Sequence, residues 1–132
     1  MNLYHQFHIE LLKQTYNQLL RHYPFNAADL MLQQQEFLDE YAALIELCQN
    51  QTVGYVEKGQ SFCASWIRGY PDLAPLLPRD LLWFFGGDCL HFMPDEEIVV
   101  FQRLDEMRHE ALSNNTDFNY PLERAKLLNL LH

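Results

Sequence analysis

The densest run of reactive residue types in this chain is Gly86-Gly87-Asp88-Cys89-Leu90-His91, where a carboxylate, a thiol and an imidazole lie beside a diglycine. Asp88, Cys89 and His91 in that spacing suit a metal site or a Cys–His nucleophile, because a thiolate forms where a base or a positive charge lowers its pKa. The same residues also suit a tight corner between helices. There the glycines supply unusual backbone angles, Asp88 caps the next turn, Cys89 packs and His91 bonds a carbonyl. A second candidate is Glu106-Met107-Arg108-His109. Spacing three puts Glu106 and His109 on one helix face, as in carboxylate-bridged di-metal bundles. That architecture needs a second Glu-x-x-His and two further glutamates. Asp88-x-x-His91 is the nearest partner, and Glu10, Glu36 and Glu40 are the available carboxylates, so the pattern is incomplete. The competing reading is an exposed helix face on which Arg103, Asp105, Glu106, Arg108 and Glu110 form local ion pairs. His5 and His8, three apart with Glu10 close by, either share a metal or form a solvated pair.

No complete constellation emerges, so no residue is assigned a catalytic role and no metal or cofactor is expected. Nucleotide-cradling glycine motifs, the Gly-x-Ser-x-Gly elbow and His-Glu-x-x-His are all missing. His8-Ile9-Glu10 is not followed by Pro-Cys-x-x-Cys, so the zinc deaminase pattern fails. Asn114-Asn115-Thr116 matches a glycosylation sequon, to which no meaning is given without a signal peptide.

Charge and cysteine usage bound the surroundings in which such groups would act. The 132 residues carry 18 acids against 9 Lys and Arg, a formal charge of −9. That argues against nucleic-acid binding and against an anionic membrane surface, since both reward a basic face. Cys48, Cys63 and Cys89 are an odd, widely spaced set without a CxxC, which reads as free buried thiols in a reducing compartment. The sequence opens without a basic region followed by an apolar run, and no apolar run approaches the roughly 20 residues that span a bilayer. A cytoplasmic location is therefore expected.

The elements that must position these residues read as helices throughout. The spacing predicts a first helix from about Leu3 to His22, with Leu3, Phe7, Leu11 and Leu19 on one face, ended by Pro24. Asn26 is the expected cap of a second helix, with Asp29 at its third position and Phe25–Leu30 as a hydrophobic staple. Leu30, Phe37, Tyr41, Leu44 and Cys48 trace its inner face, and five acids without a base occupy Asp29 to Glu46. A third helix is expected from Thr52 to about Arg68, in which Gly59 lets a neighbour approach closely, with Gly69 and Pro71 as its stop. Residues 70–80, with three prolines, form turns or one helical turn. Pro78 opens a helix whose Leu81 to Phe85 run is apolar nearly all round, and therefore central. Gly86-Gly87 breaks it. Pro94 and three acids start the next helix, with Ile98, Phe101, Leu104, Ala111 and Leu112 facing inward. Pro121 opens a short terminal helix that presents Leu122, Ala125, Leu128 and Leu131.

The expected fold is all-α, a single domain over 1–132 packed as an irregular bundle of about five helices. The expected function is a non-enzymatic intracellular protein-interaction or regulatory module, self-associating as a homodimer. Two observations favour it: seven tyrosines, more than a small core satisfies, and a first-helix apolar face broader than one neighbour covers. The alternative is a small metal- or thiol-dependent enzyme centred on Asp88, Cys89, His91, Glu106 and His109. A further alternative is an acidic inhibitor or nucleic-acid mimic using the second helix.

Overall fold

The computed structural model describes residues 3–129. Six α-helices follow in order: α1 (Leu3–Leu19), α2 (Leu32–Gln49), α3 (Tyr55–Gly69), α4 (Arg79–Phe85), α5 (Asp95–Ser113) and α6 (Tyr120–Asn129). Two 3-10 helices, Pro71–Leu76 and Gly87–Phe92, flank α4. The described residues contain no strand, so the all-α expectation holds. No helix among them is long and apolar enough to cross a membrane.

The prolines and glycines set most of the boundaries. Pro94 precedes α5, whose first turn holds Asp95, Glu96 and Glu97 at the positive end of the helix dipole. Gly86 (φ 67°) and Gly87 (φ 57°) both sit in the left-handed region, which ends α4 at once and starts the second 3-10 helix. Gly59 allows the α3–α4 crossing, because a Cβ there would collide with the Phe85 ring.

α2 pairs with α1 on one side and α3 on the other, α3 meets α4, and α1 reaches α4 and α6. The centre is aromatic. Phe37 packs against Phe25, Phe62 and Tyr70 at ring separations of 5.3, 4.8 and 4.8 Å. Trp66, 1% exposed, donates its indole N–H to the Leu73 carbonyl at 3.1 Å. The hydroxyl of Tyr41 donates to Leu12 O at 2.7 Å. All three cysteines are buried free thiols, and burial pushes Cys48 up to about 12.

Several expectations need correction. α2 begins at Leu32, not at Asn26: residues 21–30 form turns, and Gln34 Oε1 accepts the Met31 N–H at 2.9 Å. Phe25 is drawn into the aromatic core rather than stapling to Leu30. α1 ends at Leu19, and its buried face is His8, Ile9, Leu12, Thr15 and Leu19, which leaves Leu3 exposed and Phe7 and Leu11 half-buried. α5 buries Phe101 and Leu104 and then leaves the core, so Ala111 is half-buried and Leu112 is 66% exposed. α6 turns Tyr120 and Arg124 inward, leaving Leu122 and Ala125 exposed; Leu131 lies outside the described residues. Trp83 is half-buried, with its indole N–H on the Asp105 carboxylate at 3.0 Å. The acids of α2 and the turn before it (Asp29, Glu36, Asp39, Glu40 and Glu46) are all exposed.

Candidate functional site

The sequence candidates are dispersed by the 3-10 geometry of residues 87–92. In that tight helix Cys89 turns inward, while Asp88 and His91 stand in solvent and pair with each other at 3.8 Å. Cys89 is 1% exposed and its Sγ lies 3.8 Å from the Gln60 carbonyl. A hydrogen bond with Cys63 lowers its pKa, against burial and the Asp88 carboxylate. The Cys63 thiol is pushed up by that same bond and by burial. Glu106 is exposed and pairs with Arg103 at 3.5 Å, and His109 is exposed on the outer face of α5. His5 and His8 diverge as well: His5 Nε2 meets the Cys48 carbonyl at 2.9 Å, and His8 Nδ1 meets the Tyr4 carbonyl at 2.7 Å. Among the described residues, no three His, Cys, Asp or Glu side chains are grouped to hold a metal ion.

A different set of residues converges where α1, α4, α5 and α6 meet. α1 supplies Tyr4 and His8, four apart and therefore on one face. α4 supplies Asp80 and Phe84 by the same spacing. Asp105 and Arg108 come from α5, Tyr120 and Arg124 from α6. His8 is fully buried, and its ring stacks on Phe84 at 4.6 Å with an interplanar angle of 7°. Burial lowers its pKa to about 4, outweighing the Tyr4 carbonyl and the Asp80 carboxylate, so the ring is neutral at pH 7. Since a carbonyl only accepts, the proton sits on Nδ1 and Nε2 carries a lone pair.

Asp80 and Arg124 form the strongest ion pair of the cluster. Nε and Nη2 of Arg124 donate to the two carboxylate oxygens at 2.5 and 2.8 Å, a bidentate fork. The Asp80 side chain is 6% exposed and that of Arg124 28%. Arg108 is arranged differently. Its guanidinium carbon lies 3.9 Å over the Tyr4 ring, and Nη2 approaches Asp105 Oδ1 at a loose 3.5 Å.

Four buried polar atoms in this cluster have no hydrogen-bond partner: His8 Nε2, Asp105 Oδ1, Arg108 Nε and the Tyr120 hydroxyl. Only one other atom of that kind occurs among the described residues, Glu97 Oε2, which faces Arg79 Nε at 3.4 Å. Burial raises the pKa of Tyr4 and Tyr120, with the nearby carboxylates of Asp105 and Asp80 adding to it, so both phenols keep their protons.

An open cleft of about 820 Å³ lies over the cluster, with Tyr4, Arg108, Asp117, Phe118 and Tyr120 among its walls. It exists because α5 leaves the core before Leu112 and the 114–119 connection loops out. The Thr116 N–H and hydroxyl hold that connection to Ala111 O at 2.9 and 3.2 Å, and Asn119 Oδ1 caps α6 at the Leu122 N–H. Beside the cleft, Leu3, Phe7, Leu11 and Pro121 border a second groove of about 280 Å³ between α1 and α6.

A family model described as PA2817-like matches residues 1–132. The chain belongs to the PA2817-like family. No curated protein and no solved structure matches it. The family match spans the whole length of this PA2817-like chain.

Sequence reasoning missed Asp80, Arg124 and Tyr120 as site residues. Asp80 and Arg124 are 44 positions apart, and a pair that distant leaves no spacing signal. Beside its pairing with His5, His8 carries a signal of burial: spacing four, seven and eleven from it reaches Leu12, Thr15 and Leu19.

Proposed function

We propose that this protein is a non-enzymatic interaction or regulatory module of the cytoplasm that self-associates as a homodimer through the α1–α6 side of the bundle. The observation that supports this reading is the apolar strip that α6 leaves uncovered. Leu3 is 40% exposed and Leu122 49% exposed, and Phe7 and Leu11 are half-buried. Single exposed apolar residues are ordinary on a surface, but here Leu3, Phe7 and Leu11 border one groove with Pro121. A two-fold dimer places the same strip against itself, so each α1 covers the other.

Sedimentation equilibrium tests the reading. Wild type is expected to run as a concentration-dependent dimer, and Leu122→Glu as a monomer with an unchanged melting temperature. A wild-type monomer of 15.7 kDa at every accessible concentration contradicts it.

A further inference from the structure

The cleft over the α1–α5–α6 junction calls for a ligand of its own and shares Leu3 alone with the groove of the self-association face. We propose that it binds a small organic monocarboxylate with a flat apolar body, whose carboxylate is received by Arg108 and Tyr120. Three features of the cleft specify that chemistry.

The first is size and lining. At about 820 Å³ the cleft lies within the range of small-molecule sites. Leu3, Leu112 and Phe118 give it apolar walls, and the Tyr4 ring lies beneath the guanidinium.

The second is the pair of donors without acceptors. Arg108 is the one cation among the lining residues. Its five N–H groups face a single loose carboxylate contact at 3.5 Å, and its Nε–H has no partner at all. Tyr120 is 1% exposed and its hydroxyl is likewise unpartnered. A buried donor left unpaired is unfavourable, and two on residues lining one cleft are matched by a ligand bringing two acceptor oxygens. Both atoms are buried, on residues that line the cleft. Engaging them takes side-chain shifts of both Arg108 and Tyr120, an adjustment common on binding. Asp80 and Arg124 next door are paired with each other, and neither lines the cleft.

The third is charge. The chain carries −9 overall, and Asp117 sits on the cleft wall. That field opposes phosphates and other polyanions, so the single guanidinium suits a single negative charge on an apolar body.

A carboxylate could come from a free acid or from a peptide C-terminus. The probes are therefore 2-naphthoate, its neutral isostere 2-naphthamide, inorganic phosphate, and an acetylated tripeptide ending in leucine. Binding is followed by the NMR signals of the Arg108 Nε–H and by fluorescence titration. Naphthoate is expected to bind and to shift the Arg108 signal, and the amide and phosphate to bind at least tenfold more weakly, as is the peptide. Tyr120→Phe and Arg108→Gln are each expected to weaken naphthoate at least tenfold, and Arg108→Lys by less than Arg108→Gln. Tyr120→Phe removes only an unpartnered hydroxyl, so it keeps the test valid if Arg108→Gln fails to fold. Equal binding of acid and amide, preference for phosphate or the peptide, no binding of any probe, or unchanged affinity in Tyr120→Phe overturns the proposal. Sedimentation of the same samples separates this from the self-association reading: a Leu122-dependent dimer that ignores naphthoate leaves that reading standing and removes the cleft ligand.

Discussion

The aromatic centre around Phe37 and Trp66 and the aromatic cluster around Tyr4 and His8 are built from the same residue types but treat their polar atoms in opposite ways. In the first, the Tyr41 hydroxyl and the Trp66 indole N–H are buried and each donates to a backbone carbonyl. In the second, the Tyr120 hydroxyl and His8 Nε2 are equally buried and have no partner. Burying an aromatic body stabilises either region, but only a satisfied polar tip adds to it, while an unsatisfied one subtracts. The centre is therefore assembled for stability. The α1–α4–α5–α6 junction gives up stability at a few named atoms, and such conflicts concentrate at functional sites.

The comparison is broken most severely in the centre. Trp66→Ala is expected to lower the unfolding free energy by about 3–5 kcal/mol, because a fully buried indole leaves a cavity and an orphaned Leu73 carbonyl. Urea denaturation measures it, and a loss under 1 kcal/mol would move the core elsewhere. In the junction, the next largest effect is one of pH. His8 takes a proton near pH 4 when folded and near 6.5 when unfolded. As pH falls, the unfolded chain is protonated first. The contribution of neutral His8 is whole above pH 6.5 and lost progressively down to pH 4, about 3 kcal/mol in total. Unfolding free energies from pH 7 to 4 should fall more steeply for wild type than for His8→Asn; parallel curves would place His8 in water. Asp80→Asn comes third, at about 2 kcal/mol. It unpairs a buried fork, but Arg124 keeps enough exposure to recover part of its hydration. A loss that disappears in the Asp80→Asn, Arg124→Gln double variant would establish the coupling.

The centre was legible in the sequence and the junction was not. Phe37, Tyr41, Leu44 and Cys48 follow helical spacing and all face inward. Gly86-Gly87 and Pro94 mark turns by local backbone chemistry alone. Asn26 has the chemistry of a cap, but α2 starts at Leu32 because the neighbouring Phe25 has a stronger reason to enter the core. On α1 a count of apolar residues favoured the Leu3–Phe7–Leu11 stripe. The helix instead buries His8, whose ring stacks on Phe84 and whose Nδ1–H is absorbed by its own Tyr4 carbonyl. Asp88, Cys89, His91, Glu106 and His109 drew attention as reactive types. Their helical phases, set by a 3-10 turn and by the outer face of α5, keep Cys89 inside and the others in solvent. The junction itself needs four helices in register, and Asp80–Arg124 closes only once α6 has folded back on α1.

The contrast between the two regions is tested most directly by one paired measurement, urea unfolding of Tyr41→Phe and Tyr120→Phe. Each removes one buried hydroxyl from an aromatic cluster and leaves the ring in place. Tyr41→Phe is expected to lose about 1 kcal/mol with the bond to Leu12 O, and Tyr120→Phe to stay within about 0.5 kcal/mol of wild type or to gain. An equal or larger loss in Tyr120→Phe would mean that its hydroxyl supports the fold after all, and would contradict the account of the junction.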